Sequence, residues 1–99
     1  MLFRSAATNV DTVTDFAQGT DRIVLNRTIF AAFGATATTV AANQFEVVRG
    51  TGATLGTTRV FYDRNNQGVF YDPDGNGPLA ATRFATTAVR LANTDFSIV

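Results

Sequence analysis

Residues 60–77 read VFYDRNNQG VFYDPDGNG, one four-residue opening used twice at a spacing of nine. Such a repeat arises from a calcium-binding nonapeptide roll, from a hairpin whose two strands match, or from the end of a longer repeat array. A roll needs a six-residue, glycine-rich turn carrying an Asp, followed by a three-residue strand. The turn of the first copy, DRNNQG, holds one glycine, and that of the second, DPDGNG, holds two. Two copies also fall short of the roughly three that stacked repeats need to bury their faces. Hairpin chemistry accounts for the match more economically. Both strands are β-branched and aromatic, and Asn65, Asn66 and Gly68 between them tolerate left-handed backbone, so the spacing predicts an antiparallel hairpin over 60–72. Tyr62/Tyr71 and Phe61/Phe70 are then the two faces of that hairpin rather than a sugar-stacking platform.

The remaining residues extend this pattern. VDTVTDF (Val10 to Phe16) alternates like a strand with Val13 inward, AQGTD is a turn in which Gly19 takes positive φ, and RIVLN is a second short strand. Asn26 precedes TIFAAF, whose Ile29, Phe30 and Phe33 suit about one and a half helical turns, and AANQFEVV reads as a short helix running into an extended segment. The loop RGTGATLGTT (Arg49 to Thr58) has three glycines and is expected to be a mobile excursion. LAATRFAT (Leu79 to Thr86) suits a third antiparallel strand, and in RLANTDFSIV Asn93 is expected to cap a single turn before a last strand. With 99 residues, the chain is one domain, 1–99. Its expected fold is mainly β: a short-strand β-roll or sandwich-like cap with the 60–72 hairpin and one or two short helices in 28–48.

Composition removes several functions. Eight Arg, with no Lys, balance eight acidic residues, so no long-range field draws in nucleic acid. No apolar run approaches the roughly 18 residues of a membrane helix, so membrane insertion is not expected, and MLFRSAATNV has too short an apolar core for a secretory signal peptide. The absence of His and Cys takes away the commonest general base, the usual zinc ligands and thiol nucleophiles. No enzyme activity is expected.

Two acidic groups are candidate calcium ligands. Asp72-Pro73-Asp74-Gly75-Asn76-Gly77 satisfies D-x-[DN]-x-[DN]-G, the opening of a loop in which alternate oxygen side chains converge on a hard cation. The twelfth position holds Arg83 where an EF-hand has its bidentate Glu, and a cation there repels Ca²⁺. An EF-hand is therefore excluded. A weaker site on Asp72, Asp74 and Asn76 stays open beside the simpler reading of a turn built from turn-forming residues. Asp11, Asp15 and Asp21 form the second group. Asp11 and Asp15 share one strand face, where a cation could bridge them, the other reading being solvated edge charges.

In this order the segments resemble a known family. VDTVTDFAQGTDRIVLN resembles the segment that closes the calcium-binding β-roll of hemolysin-type and serralysin-type (RTX) secreted bacterial proteins, D-x-[IV]-x-DF-x-x-G-x-D-[RK]-[IV]-x-L. Asp11, Val13, Asp15, Phe16, Gly19, Asp21, Arg22, Ile23 and Leu25 carry that match. VFYDRNNQGVFYDPDGNGPLAATRFAT is similar to the family's hairpin, its YD-x-DG-x-G turn and its apolar FA strand, and LANTDFSIV to its L-x-x-x-DF terminus. The resemblance implies a non-catalytic C-terminal module of a type I secreted protein, located outside the bacterial cell. It implies a cap on the upstream repeats and an export signal, Asp95, Phe96, Ser97, Ile98 and Val99, read by the type I transporter. Calcium is the implied cofactor, weakly bound or shared with upstream repeats, because no GGxGxD array precedes Val10. The alternative is a stand-alone extracellular adhesion module that grips a glycan or protein with the 49–58 loop and the hairpin face. That alternative requires Tyr62 or Tyr71 to be exposed.

Overall fold

The computed structural model describes residues 2–3, 11–13, 16–28, 30–34, 36–78 and 80–99; for Leu2, Phe3 and Asp11 only the backbone is described. Val10, Thr14, Asp15, Ile29 and Leu79, named above in predicted elements, lie outside the described residues.

The strands are β1 (Leu2–Phe3), β2 (Asp11–Val13), β3 (Ile23–Leu25), β4 (Phe45–Val48), β5 (Val60–Asp63), β6 (Gly68–Tyr71), β7 (Thr82–Thr87) and β8 (Phe96–Ile98). They form a three-stranded sheet of order β1-β3-β8 and a five-stranded sheet of order β2-β7-β6-β5-β4. The fold is thus mainly β. Three one-turn 3-10 segments, Ala31–Phe33, Ala42–Gln44 and Asn93–Asp95, are the helical elements among the described residues, and two of them fall within 28–48 as expected.

The 60–72 hairpin forms, and its register explains the repeated VFYD. Val60 faces Tyr71, Phe61 faces Phe70, and Tyr62 faces Val69. An antiparallel second copy of V-F-Y sets Phe against Phe and Val against Tyr, so one short sequence is its own cross-strand complement. The Phe61 and Phe70 rings stack at 4.9 Å and 6°. The two Asp that follow close matching turns: Asn65 N–H donates to Asp63 Oδ1 (2.9 Å) and Asp74 N–H to Asp72 Oδ1 (3.3 Å). The left-handed residue of the hairpin loop is Gln67 (φ 59°), not Asn65, Asn66 or Gly68. Asn66 uses its side chain to accept the Gly68 N–H at 3.1 Å, which leaves the next residue to reverse the chain.

β7 is the third antiparallel strand, and it is irregular. Val69 pairs with Ala85 but Phe70 pairs with Arg83, so the register shifts there and Phe84 is the extra residue of a β-bulge. Such a bulge lets two consecutive side chains enter the same interior, and Phe84 and Ala85 are both fully buried in the core. That core draws Ile23, Leu25, Phe96 and Ile98 from the smaller sheet and Val60, Tyr62, Val69 and Tyr71 from the larger. Phe30 packs edge-on to Phe84 (5.1 Å) and Tyr71 (5.0 Å), while Phe45 meets Phe96 at 5.6 Å.

The remaining pairings are parallel: β1 with β3, β3 with β8, β2 with β7, and β4 with β5. Parallel neighbours cannot be joined by a tight turn; the chain must cross a sheet face between them. Residues 49–59 make that crossing from β4 to β5, over the face that carries Glu46, Phe61 and Asp63. Gly50 N–H donates to Asp63 Oδ1 (2.8 Å), Thr54 N–H and Oγ1 to Glu46 Oε1 (2.8 and 2.9 Å), and Thr58 Oγ1 to Glu46 Oε2 (2.6 Å). The predicted mobile excursion is instead a strap tied across the sheet. It accounts for the burial of Phe61, 2% exposed although it faces away from the main core.

Other local expectations hold in part. Val13 packs partly buried against the core. Gly19 has φ 85°, and Asp21 Oδ2 closes its turn by accepting the Ala17 N–H at 2.9 Å. Asn26 Oδ1 accepts the Thr28 N–H at 2.8 Å but does not cap the helical turn, which is shorter than expected: it spans Ala31–Phe33, with Phe30 as its N-cap and no side-chain cap. The last turn differs from expectation: Asp95, not Asn93, caps it, accepting the Ala92 N–H at 2.8 Å, while Asn93 Nδ2 donates to Val40 O at 3.1 Å.

Candidate functional site

The DPDGNG turn leaves the end of β6 and docks against the strap. Asp72 is 5% exposed, and its own N–H donates to Arg59 O at 2.7 Å. Burial raises its carboxyl above the usual carboxylate range. A hydrogen bond shared with the Asp74 carboxyl and the Asp74 charge add to the rise, and the Asp74 N–H and Arg59 partly offset it. Gly75 takes φ 67°, and a Cβ there would stand 2.5 Å from Leu55 O and 2.7 Å from Gly56 O, so the turn rests directly on the strap backbone. The Asp74 carboxylate occupies the space a Gly77 side chain would need. Asn76 points the other way: its Nδ2 donates to Thr54 O at 3.2 Å.

Of the predicted calcium ligands, then, Asp72 and Asp74 come together and Asn76 turns to the strap, which it meets through that one bond. Asp21 is exposed and serves its own turn, Asp11 lies on the edge strand β2, and Asp15 is outside the described residues. Among the described residues no group of three or more His, Cys, Asp or Glu is placed to hold a metal ion. Arg83, at the twelfth position of the loop pattern, is turned to the hairpin, with its guanidinium 6.0 Å from the Phe70 ring and Nη2 donating to Asn66 O at 3.0 Å.

The folded-state affinity of Asp72 for its proton sets a pH dependence. A carboxyl whose pKa rises on folding binds its proton more tightly in the native state, so its contribution to stability is present at low pH and is lost as pH rises through the raised value. Asp72→Asn keeps the acceptor Oδ1 but cannot ionise. In calcium-free buffer it should stabilise the fold at neutral pH and have little effect in acid, as read from thermal midpoints across pH. A midpoint difference that does not change with pH would remove Asp72 as the cause.

Glu46 and Asp63 were not singled out from the sequence, yet they fasten the strap. Burial pushes the Glu46 carboxyl up, but hydrogen bonds from the Thr58 hydroxyl, the Thr54 N–H and hydroxyl, and the Leu55 N–H outweigh it and hold the carboxyl below its ordinary value. Asp63 is 4% exposed. Its position in the first VFYD, matching Asp72 in the second, was the available signal.

The tail residues Asp95 to Val99 are built into the fold. Asp95 is 4% exposed and also accepts Gln18 Nε2 at 2.8 Å. Phe96 and Ile98 point into the core, and Ser97 Oγ accepts from Arg22 Nη1 at 3.1 Å. β8 lies beside β3, Ile98 N–H donates to Thr38 O (2.9 Å), and Val99 bonds Leu25 O and Arg27 N–H (2.9 and 2.8 Å). Val99 is 55% exposed.

The hairpin tyrosines are interior. Tyr62 Oη donates to Thr87 O at 2.7 Å and Tyr71 Oη accepts the Ala32 N–H at 2.9 Å; burial raises both phenols above their ordinary value. Neither ring offers a platform to a glycan. An open groove of about 570 Å³ runs between β4 and residues 90–93. Glu46 lines it, with its carboxylate already bound by the strap. No helix among the described residues is long and apolar enough to cross a membrane. Comparison with family models, curated proteins and solved structures finds no significant match to this chain.

Proposed function

We propose that this chain is the non-catalytic C-terminal module of an RTX-type, type I secreted bacterial protein, which caps a calcium-binding β-roll and carries the export signal. The observation that carries the reading is the burial of Asp95 in the last helical turn and of Phe96 and Ile98 in the strand that follows it and completes the core. A transporter can read those residues only while the chain is unfolded, and folding after export hides them. Export before folding is favoured if folding waits for an ion scarce in the cytosol. The Asp72/Asp74 pair supports such a role, because a hard cation between the two carboxylates would favour the charged form of Asp72 against the burial, and next to it the Asp74 carboxyl, that raise its pKa. The cap role draws on the all-parallel β1-β3-β8 sheet, in which β1 is the outer strand. Upstream repeats would add their strands at that edge and so cover its unpaired backbone. The adhesion alternative has lost its aromatic anchors to the core. Deleting Asp95 to Val99 should abolish export of a passenger fused ahead of the module, measured as passenger in the medium; undiminished export would overturn the assignment.

A further inference from the structure

Of the chain's asparagines only Asn76 is followed by glycine, and both residues are exposed at the tip of the DPDGNG turn. An Asn-Gly step is chemically labile because the unhindered glycine nitrogen can reach the side-chain carbonyl carbon one residue back. The fold protects the two reacting groups little: Asn76 Nδ2 makes one bond of 3.2 Å to Thr54 O, and Gly77 N–H one of 3.3 Å to Asp74 O. It also sets a proton acceptor beside them, since the Asp74 carboxylate packs against Gly77 where a side chain would be.

We propose that Asn76-Gly77 is a deamidation site, and that its aspartate product turns the two-carboxylate turn into a three-carboxylate calcium turn. This second half rests on the calcium reading above. In the first step the Gly77 nitrogen loses its proton to a base, Asp74 or hydroxide, and attacks Asn76 Cγ. The new C–N bond closes a succinimide ring and ammonia leaves with a proton from solvent. Water then opens the ring to aspartate or isoaspartate. The net change is amide plus water to acid plus ammonia, with no oxidation or reduction. The aspartate product reads D-x-D-x-D-G, with acidic side chains at alternate positions 72, 74 and 76, the arrangement in which charge count strengthens affinity for Ca²⁺. It also replaces the Asn76 donor with a carboxylate facing Thr54 O, which releases the side chain from the strap.

The folded chain is held in mildly alkaline buffer and mapped by peptide mass spectrometry beside a denatured control. Asn76 should lose its amide at a rate within about tenfold of the denatured chain, and Asp74→Ala should slow the folded reaction. Retention of the amide at Asn76 while the denatured chain reacts overturns the site; an unchanged rate in Asp74→Ala overturns the part given to Asp74. Calcium titration by calorimetry then compares Asn76→Asp with the unmodified chain. The variant should bind at least about tenfold more tightly, and equal binding overturns the conversion. An unmodified chain indifferent to Ca²⁺ beside an Asn76→Asp variant that binds would instead overturn calcium binding by the native turn and uphold this inference.

Discussion

Phe84→Ala is expected to cost about 3–5 kcal/mol, the usual loss when a fully buried aromatic ring is cut to a methyl group. Phe84 is 0% exposed and meets Phe30 edge-on at 5.1 Å. Its backbone is held inward by the bulge, so neighbours from a regular ladder cannot slide in to fill the space. For a small domain whose total stability lies near 5–15 kcal/mol, such a loss is a large fraction of the whole. Urea unfolding should show a much lower midpoint with an unchanged slope. A loss under about 1 kcal/mol would mean that the site collapses freely and that Phe84 is not the centre of the core.

Gly75→Ala should be nearly as damaging, although it adds one methyl group at the surface turn. The left-handed backbone at φ 67° costs a non-glycine residue about 1–2 kcal/mol. The methyl carbon would also meet Leu55 O at 2.5 Å, and backbone cannot rotate aside as a side chain can. Overpacking of this kind adds about 1–3 kcal/mol. Because the contact joins the turn to the strap, the expected signature is local as well as global: limited proteolysis should cut within 49–58 in the variant faster than in the parent. Equal cleavage with full stability would show that turn and strap are not in contact.

What could be read from the sequence follows from the range of each interaction. The hairpin, the Gly19 turn, the Asn26 turn and the short helix before β4 depend on residues a few positions apart, and their turn chemistry is written locally. The parallel pairings were not legible. Asp11 with Ala85 and Ile23 with Phe96 join positions far apart in the chain, and a parallel register has no turn residue to announce it. The β4 to β5 crossing was misread for the same reason: three glycines suggest freedom, and only the parallel pair shows that the segment must lie on a face. Nothing in the residues around Glu46 marks it, because its partners Thr54 and Thr58 reach it only through the crossing. At the site, D-x-[DN]-x-[DN]-G predicted neighbours at Asp72 and Asp74, but the pattern could not reveal that Asn76 turns to Thr54, a residue it does not contain.

The buried tail makes two consequences of mutation separable, and export of a fused passenger tests that separation. Three versions are compared in a cell with a type I transporter: the parent module, the module without Asp95 to Val99, and the Phe84→Ala module with its tail intact. If the tail is read before folding, the parent and Phe84→Ala fusions both reach the medium and the tail deletion stays inside. Export of the tail-deleted fusion, or retention of Phe84→Ala to the same degree as the deletion, would contradict the account. The exported feature would then be the folded domain rather than the strand that completes it.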